Sequence, residues 1–341
     1  MQSKKKRIIF KFSEMRKNFK KQFLKQGFLI IRNVLDFDFD LKPILNDMEF
    51  IMNRLVHKFV PIKERKKIIK YSFWKKYTFL SKLNIKHFDQ YFNIRPPKEN
   101  IKKDSDYFAS QSIWNLIRNK SILDVLQNII GAEILSNPVQ NSRIKQPEIF
   151  IKKKNVYNGL TGRTPWHQDA GVLTKAGQKF TDLITCWIPL TKTTINNGCM
   201  LTVPGLHKKG FFNHDVDTKG QALLRNNELL NKCKTYPLEA NLGDIVLLGK
   251  HTVHCSLPNL SKNFRISIDL RYHKGGQPSG RDSLPSFYVR SKNKKNLKIT
   301  NYKQWIATWE KAKEKCVTRG YTFKYSASSS KSTKRDLINL I

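Results

Sequence analysis

Phe264-Arg-Ile-Ser-Ile-Asp-Leu-Arg-Tyr272 alternates without a break. Ile266, Ile268, Leu270 and Tyr272 fall on one side of an extended chain, and Arg265, Ser267, Asp269 and Arg271 on the other. The apolar side can pack against a second sheet or a covering helix. The polar side must line something wet or charged, because a buried charge without a partner is too costly to keep. A solvent-facing strand with surface arginines would alternate in the same way, so the stretch alone leaves both readings open. Just upstream, Gly243-Asp-Ile-Val-Leu-Leu-Gly-Lys-His-Thr-Val-His-Cys-Ser256 reads as an apolar strand, a turn and a second short strand. From Glu133 onward, short apolar runs at 148–153, 182–190, 200–203 and 243–248 are separated by Gly, Pro, Asn and Asp. This is the pattern of an antiparallel sandwich or barrel. Asn197-Gly198 and Pro204-Gly205 are good turns around the 200–203 strand, and their glycines read as structural.

Outward from this β region the character is helical. Residues 12–25 are basic and amphipathic, 41–60 carry apolar residues at helical intervals, and 112–130 repeat that pattern with Gly131 as a stop. Residues 27–34 between the first two are β-like. After Arg290 come a lysine-rich loop, an amphipathic helix over 302–316 and a Ser- and Lys-rich tail expected to be flexible over 326–341. The expectation is one domain over 1–325: a helix-rich part over 1–130, a β core over about 131–290 and the helix at 302–316. No internal repeat is visible.

With 341 residues and 39% hydrophobic content the chain can build a sizeable core. No run approaches the roughly 18 apolar residues a membrane-spanning helix needs. The formal charge of +38 would attract anions, but Lys and Arg are spread along the whole chain among many Asn and Ile. A compositional bias explains them without a nucleic-acid partner. Lys4, Lys5, Lys6 and Arg7 read as a solvated charge run, with a nuclear address as the alternative. Cys186, Cys199, Cys233, Cys255 and Cys316 are odd in number and lack paired short spacings, as expected of reduced packing cysteines in a cytoplasmic protein.

Chemistry concentrates in Trp166-His-Gln-Asp-Ala170. In an extended segment His167 and Asp169 share a face, with Gln168 turned outward, so an imidazole and a carboxylate can reach one divalent metal. A lone His-x-Asp is weak and needs a third ligand. His254 is the candidate, 254 − 169 = 85 residues beyond Asp169; barrel closure brings such distant strands together. Two histidines and a carboxylate form the facial triad of non-haem iron(II) oxygenases, which leaves coordination positions open. His251 is a rival, although its odd-numbered place points it away from the face of His254. His57, His87, His207, His214 and His273 have no partner at useful spacing and read as surface or packing residues. Arg265, 265 − 254 = 11 residues past His254, offers a planar guanidinium for bidentate pairing with a carboxylate.

Taken together, Trp166-His-Gln-Asp, Trp187-Ile-Pro-Leu, Asn197-Gly-Cys-Met-Leu-Thr-Val-Pro-Gly-Leu-His207, Gly243-Asp-Ile-Val, His254-Cys-Ser-Leu-Pro-Asn259 and Arg265 resemble the phytanoyl-CoA dioxygenase family. The likeness runs in order over roughly 12–290. It implies a double-stranded β-helix, or jelly-roll barrel, with flanking helices. It also implies an iron(II)- and 2-oxoglutarate-dependent dioxygenase that hydroxylates a C–H bond of a small-molecule or acyl substrate, using dioxygen and releasing succinate and carbon dioxide. On that resemblance His167, Asp169 and His254 match the iron ligands. Arg265 matches the partner of the distal carboxylate of 2-oxoglutarate, and Ser256 and Trp187 match further cosubstrate contacts. Family halogenases carry a small residue in place of the acidic ligand, so Asp169 points to hydroxylation. Asp269 and Arg271, on the face of Arg265, are expected near the pocket as substrate contacts or as supports for the ligands. A small, anionic substrate is the expected partner. The competing readings are a basic nucleic-acid-binding barrel, an oxygenase directed at nucleic acid, and a barrel that has kept its motifs without activity.

Overall fold

The computed structural model describes residues 9–11, 18–83, 85, 88–97, 101–151, 161–216, 222–226, 230 and 232–320. The helical part comprises α1 (Phe19–Gln26), α2 (Lys42–Phe59), α3 (Ile62–Ile68), α4 (Phe73–Lys82), α5 (Gln111–Ile117) and α6 (Lys120–Ile130), with α7 (Lys175–Phe180) and α8 (Tyr302–Arg319) later in the chain. The strands are β1 (Ile9–Lys11), β2 (Phe28–Arg32), β3 (Ile134–Lys145), β4 (Thr164–His167), β5 (Ile184–Pro189), β6 (Met200–Thr202) and β7 (His214–Val216). They continue with β8 (Ala222–Leu224), β9 (Tyr236–Leu238), β10 (Ile245–Gly249), β11 (His254–Ser256), β12 (Arg265–Lys274) and β13 (Phe287–Arg290).

Seven strands form a major sheet in the order β1-β2-β10-β5-β12-β3-β13, and four form a minor sheet in the order β4-β11-β6-β9. From β3 to β6 and again from β9 to β12, successive strands alternate between the two sheets, so the chain winds back and forth across the barrel. That winding is the double-stranded β-helix, or jelly roll. Apart from the parallel β1–β2 pair the registers are antiparallel.

β12 sits between β5 and β3, and its two faces differ as its alternation requires. Ile266, Ile268, Leu270 and Tyr272 are buried in one apolar cluster with Met48 and Met52 of α2, Leu126 of α6 and Trp305 of α8. The covering layer is therefore helical. Each such side chain contributes roughly 1.5–3 kcal/mol by leaving water. The opposite face points between the sheets, where a second apolar cluster of Phe28, Ile30, Trp187, Met200, Leu238, Val246 and Leu248 fills one part of the interior. The remainder is polar. Gly27 makes the reversal from α1 into β2 feasible: its φ is 86°, and a Cβ there would lie 2.5 Å from the ring of His207.

Two expectations require correction. Residues 112–130 are two helices, because Asn119 stops the first and caps the second, its side chain accepting from the backbone N–H groups of Ser121 and Ile122. Residues 148–150 form a 3-10 turn after Pro147, and the strand lies earlier, at β3. Asn137, Asn141, Arg143 and Lys145 carry the inward face of β3, and polar residues there hide the apolar alternation that marks an ordinary strand. The basic run Lys4–Arg7, residues 12–17, His87 and the expected tail over 326–341 lie outside the described residues. All five cysteines are free, and all but Cys233 are buried. No helix among the described residues is long and apolar enough to cross a membrane.

Candidate metal and cosubstrate site

β4 and β11 are antiparallel neighbours in the minor sheet, with His254 directly opposite His167. The two rings stand 4.2 Å apart between centroids. Each is oriented by its own backbone: His167 Nδ1 lies 2.8 Å from the carbonyl of Pro165, and His254 Nδ1 lies 2.9 Å from that of Thr252. Only an N–H can face a carbonyl at that distance, so Nδ1 is the donor in both rings, and Nε2 is the nitrogen each turns toward the ligand cluster. Burial, followed by the neighbouring His254, pushes the His167 imidazole well below its ordinary pKa, which favours the neutral form a metal needs.

Asp169 opens the 3-10 turn after β4 and reaches across to the major sheet. Its Oδ1 accepts from Arg271 Nη2 at 2.7 Å, and its Oδ2 accepts from the Thr185 hydroxyl. Arg271 also donates to Thr185 Oγ1 at 3.0 Å and to the Val139 carbonyl at 2.7 Å. Burial by itself would raise the Asp169 carboxyl, but Arg271, then His254, His167 and Thr185, outweigh it and hold the group far below the usual carboxylate range. One ligand atom from each of His167, Asp169 and His254 lies within 4.8 Å of the others, and all three residues are buried. Two neutral imidazoles and one carboxylate are the donor set that suits iron(II) with open positions.

The expectation that Gln168 turns outward requires correction. It does point away from the ligand face, but a loop covers it completely. Its Nε2 donates to the carbonyls of Gly210 and His251 at 2.8 and 2.7 Å, and its Oε1 accepts from Phe212 N–H at 2.8 Å. Its backbone N–H donates to His214 Nε2 at 3.0 Å. His214 therefore repeats the orientation of the ligand histidines, with Nδ1 on the Phe212 carbonyl, but its Nε2 is already occupied. The rival His251 is outside the three-residue cluster and lies beside Phe211.

Arg265 projects from β12 into the same cavity. It is only 2% exposed. It donates to Ser267 Oγ at 3.2 Å, its Nε has no partner among the described residues, and its guanidinium lies 5.4 Å from the centre of the Trp187 ring. Burial lowers its pKa to about 10. A guanidinium kept this dry with no ion pair among the described residues is an incomplete pair, and a bound dicarboxylate would complete it. Trp187, Ser256, Asp269 and Arg271 all line the cavity. Asp269 Oδ2 accepts from Arg143 Nε at 2.7 Å, while its Oδ1 has no partner among the described residues.

Sequence reading passed over Arg143, Lys145 and Thr185, and it read His214 as a surface or packing residue, which its buried place on Gln168 bears out. A signal existed for two of them: Arg143 and Lys145 occupy alternate positions, as Arg265 and Ser267 do. For His214, the shared arrangement of ring and backbone carbonyl two residues earlier appears only in three dimensions.

A family model described as Phytanoyl-CoA dioxygenase (PhyH) matches residues 23–267. A probable phytanoyl-CoA dioxygenase of Caenorhabditis elegans is 25% identical over 253 residues, which is 73% of this chain and 72% of that protein. The phytanoyl-CoA dioxygenase domain-containing protein 1 homolog of Dictyostelium discoideum is 25% identical over 268 residues, 74% of this chain and 89% of that one. Among solved structures, the non-heme monooxygenase ThoJ in its apo form superposes with a TM-score of 0.52 at 16% identity. That superposition covers 89% of this chain and all of ThoJ, and it supports the jelly-roll fold.

Proposed function

The chain belongs to the phytanoyl-CoA dioxygenase family and is an iron(II)- and 2-oxoglutarate-dependent dioxygenase, and we propose that His167, Asp169 and His254 are its iron ligands. Arg265 and Ser256 then hold the distal carboxylate of 2-oxoglutarate, and Trp187 walls the cosubstrate beside Arg265. The observation that carries this reading is the dry guanidinium of Arg265, whose Nε has no partner among the described residues, lining the same cavity as the ligand cluster. When bound, iron(II) with 2-oxoglutarate and dioxygen supplies the oxidising power for hydroxylating a C–H bond, with release of succinate and carbon dioxide.

The chain's own residues do the positioning. The carbonyls of Pro165 and Thr252 fix the two rings, and Thr185 and Arg271 fix the two oxygens of Asp169. Arg271 thus acts as a support for Asp169 and not as a substrate contact; Asp269 holds Arg143 at the cavity wall.

The substrate we infer is small and anionic. Arg143, Arg265 and Arg271 face Asp169 and Asp269 in the cavity, three positive charges against two negative ones. Iron(II) adds two positive charges and 2-oxoglutarate removes two, so one positive charge is left for the substrate to balance. A carboxylate or phosphate group on the substrate fits that excess. The free cysteines favour a reducing compartment, and we assign the protein to the cytoplasm.

The decisive measurement is anaerobic titration with iron(II) and 2-oxoglutarate, followed by the weak visible charge-transfer band, with wild type beside His167→Ala and Arg265→Ala. The expected outcome is a band in wild type that is absent from the first variant and weakened in the second. No band and no iron uptake by folded wild type would overturn the assignment of the site.

A further inference from the structure

Lys145 ends β3 directly opposite Arg265 of β12. It is 2% exposed, and among the described residues no carboxylate comes within salt-bridge distance of it. Its ammonium donates to Ser256 Oγ at 2.9 Å and to the Leu257 carbonyl. Two buried cations side by side repel one another. Burial, then Arg265 and Arg143, depress the Lys145 pKa well below that of a free lysine. Packing alone would favour an apolar residue at such a place.

Ser256 carries the consequence. Its oxygen accepts from Lys145 Nζ and also from the backbone N–H of Thr164 at 2.8 Å. A hydroxyl has two acceptor lone pairs and one hydrogen. With both lone pairs engaged on the wall side, the hydrogen is left to point into the cavity that Ser256 lines together with Arg265. The turn at Asn197-Gly198 is shaped around the same lysine. Gly198 has φ 85°, and a Cβ there would lie 2.9 Å from Lys145 Cδ and 2.7 Å from the Leu257 carbonyl oxygen. The glycine therefore leaves the channel through which the lysine reaches Ser256.

We propose that Lys145 is a positioning residue for the cosubstrate: by occupying the acceptor side of Ser256 it aims the serine hydroxyl at the distal carboxylate held by Arg265. The inference rests on the assignment of Arg265 and Ser256 to 2-oxoglutarate.

The test compares two 2-oxo acids bound to cobalt(II)-loaded protein by calorimetry: 2-oxoglutarate, and pyruvate, which has no distal carboxylate. Lys145→Met and Ser256→Ala are each expected to raise the Kd for 2-oxoglutarate about tenfold and to leave that for pyruvate unchanged. The double variant should be no worse than the poorer single one, because both remove the same hydrogen bond. Equal weakening toward both acids, unchanged affinity in Lys145→Met, or additive losses would overturn the inference. If Lys145→Met does not fold, Lys145→Gln and Ser256→Ala carry the comparison, and unaltered 2-oxoglutarate affinity in Ser256→Ala overturns it. Failure of wild type to bind 2-oxoglutarate with the metal would instead strike the cosubstrate assignment itself.

Discussion

The two faces of β12 are built from alternate residues of one strand, yet they obey opposite rules. Outward, Ile268 and Leu270 are packed under the helices with nothing polar to satisfy. Inward, Arg265 and Arg271 are just as dry, at 2% and 4% exposure, and each depends on finding a negative partner. Arg271 has found one in Asp169, whereas Arg265 has a serine hydroxyl and the Trp187 ring but, among the described residues, no ion pair. The outer face is complete in the protein by itself, and the inner face is complete only when ligands arrive. Folding stability therefore resides on one side of the strand, and on the other side stability has been given up for binding.

The sharpest way to break this comparison is Arg271→Ala. It leaves the Asp169 carboxylate buried without its ion pair, which should cost about 3–5 kcal/mol in the metal-free protein by chemical denaturation. Added iron(II) should recover part of that loss, since a metal that binds only the folded state stabilises it. No recovery with iron would remove Asp169 from the ligand set. On the outer face, Ile268→Ala should cost about 2–5 kcal/mol through lost burial and the cavity left behind. Iron should not restore it, and the affinity for 2-oxoglutarate of the folded fraction should be unchanged.

Arg265→Met sharpens the contrast, because an isolated buried charge contributes little to folding. The metal-free protein should be unchanged or more stable by up to about 2 kcal/mol, while its affinity for 2-oxoglutarate falls at least tenfold in a direct titration. A loss of stability as large as that of Ile268→Ala would mean the inner face is also a packing face.

The smallest effect expected is from pH. Burial lowers His214 to about 4, so between about pH 6.5 and 4 the unfolded chain binds a proton that the folded one refuses. Stability should be full above pH 6.5 and decline as pH falls through that window. His251 and His273, also lowered to about 4 by burial, act in the same direction. His214→Asn should flatten the slope seen in denaturation midpoints against pH. An unaltered slope would assign the effect to the other two histidines.

Much of the barrel was legible because short-range rules act wherever a strand has one apolar face. β5, β6 and β10 follow their apolar runs closely, and the alternation on β12 holds through Tyr272. β3 was not legible, because its inward face carries Asn141, Arg143 and Lys145, and polar residues there look like a loop until the cavity they line is known. The break between α5 and α6 was missed for a different reason. The apolar spacing of 112–130 continues across it, and the local cap by Asn119 prevails over that spacing.

By itself the sequence determined the family, the jelly-roll class, the residues able to bind a metal and the polar face on which Arg265 stands. The candidate metal ligands, a β sandwich or barrel and that polar face follow from residue type and spacing, and the family with its jelly-roll class from the resemblance of the ordered motifs; all are properties of the chain alone. Only the tertiary structure decided that Arg271 belongs to Asp169, that His214 is spent on Gln168, and that Lys145 stands behind Ser256. Each of those pairings joins residues between 46 and 111 positions apart. A hydrogen bond is set by distances of a few ångströms between atoms, and such distances exist only after the two sheets have closed on each other.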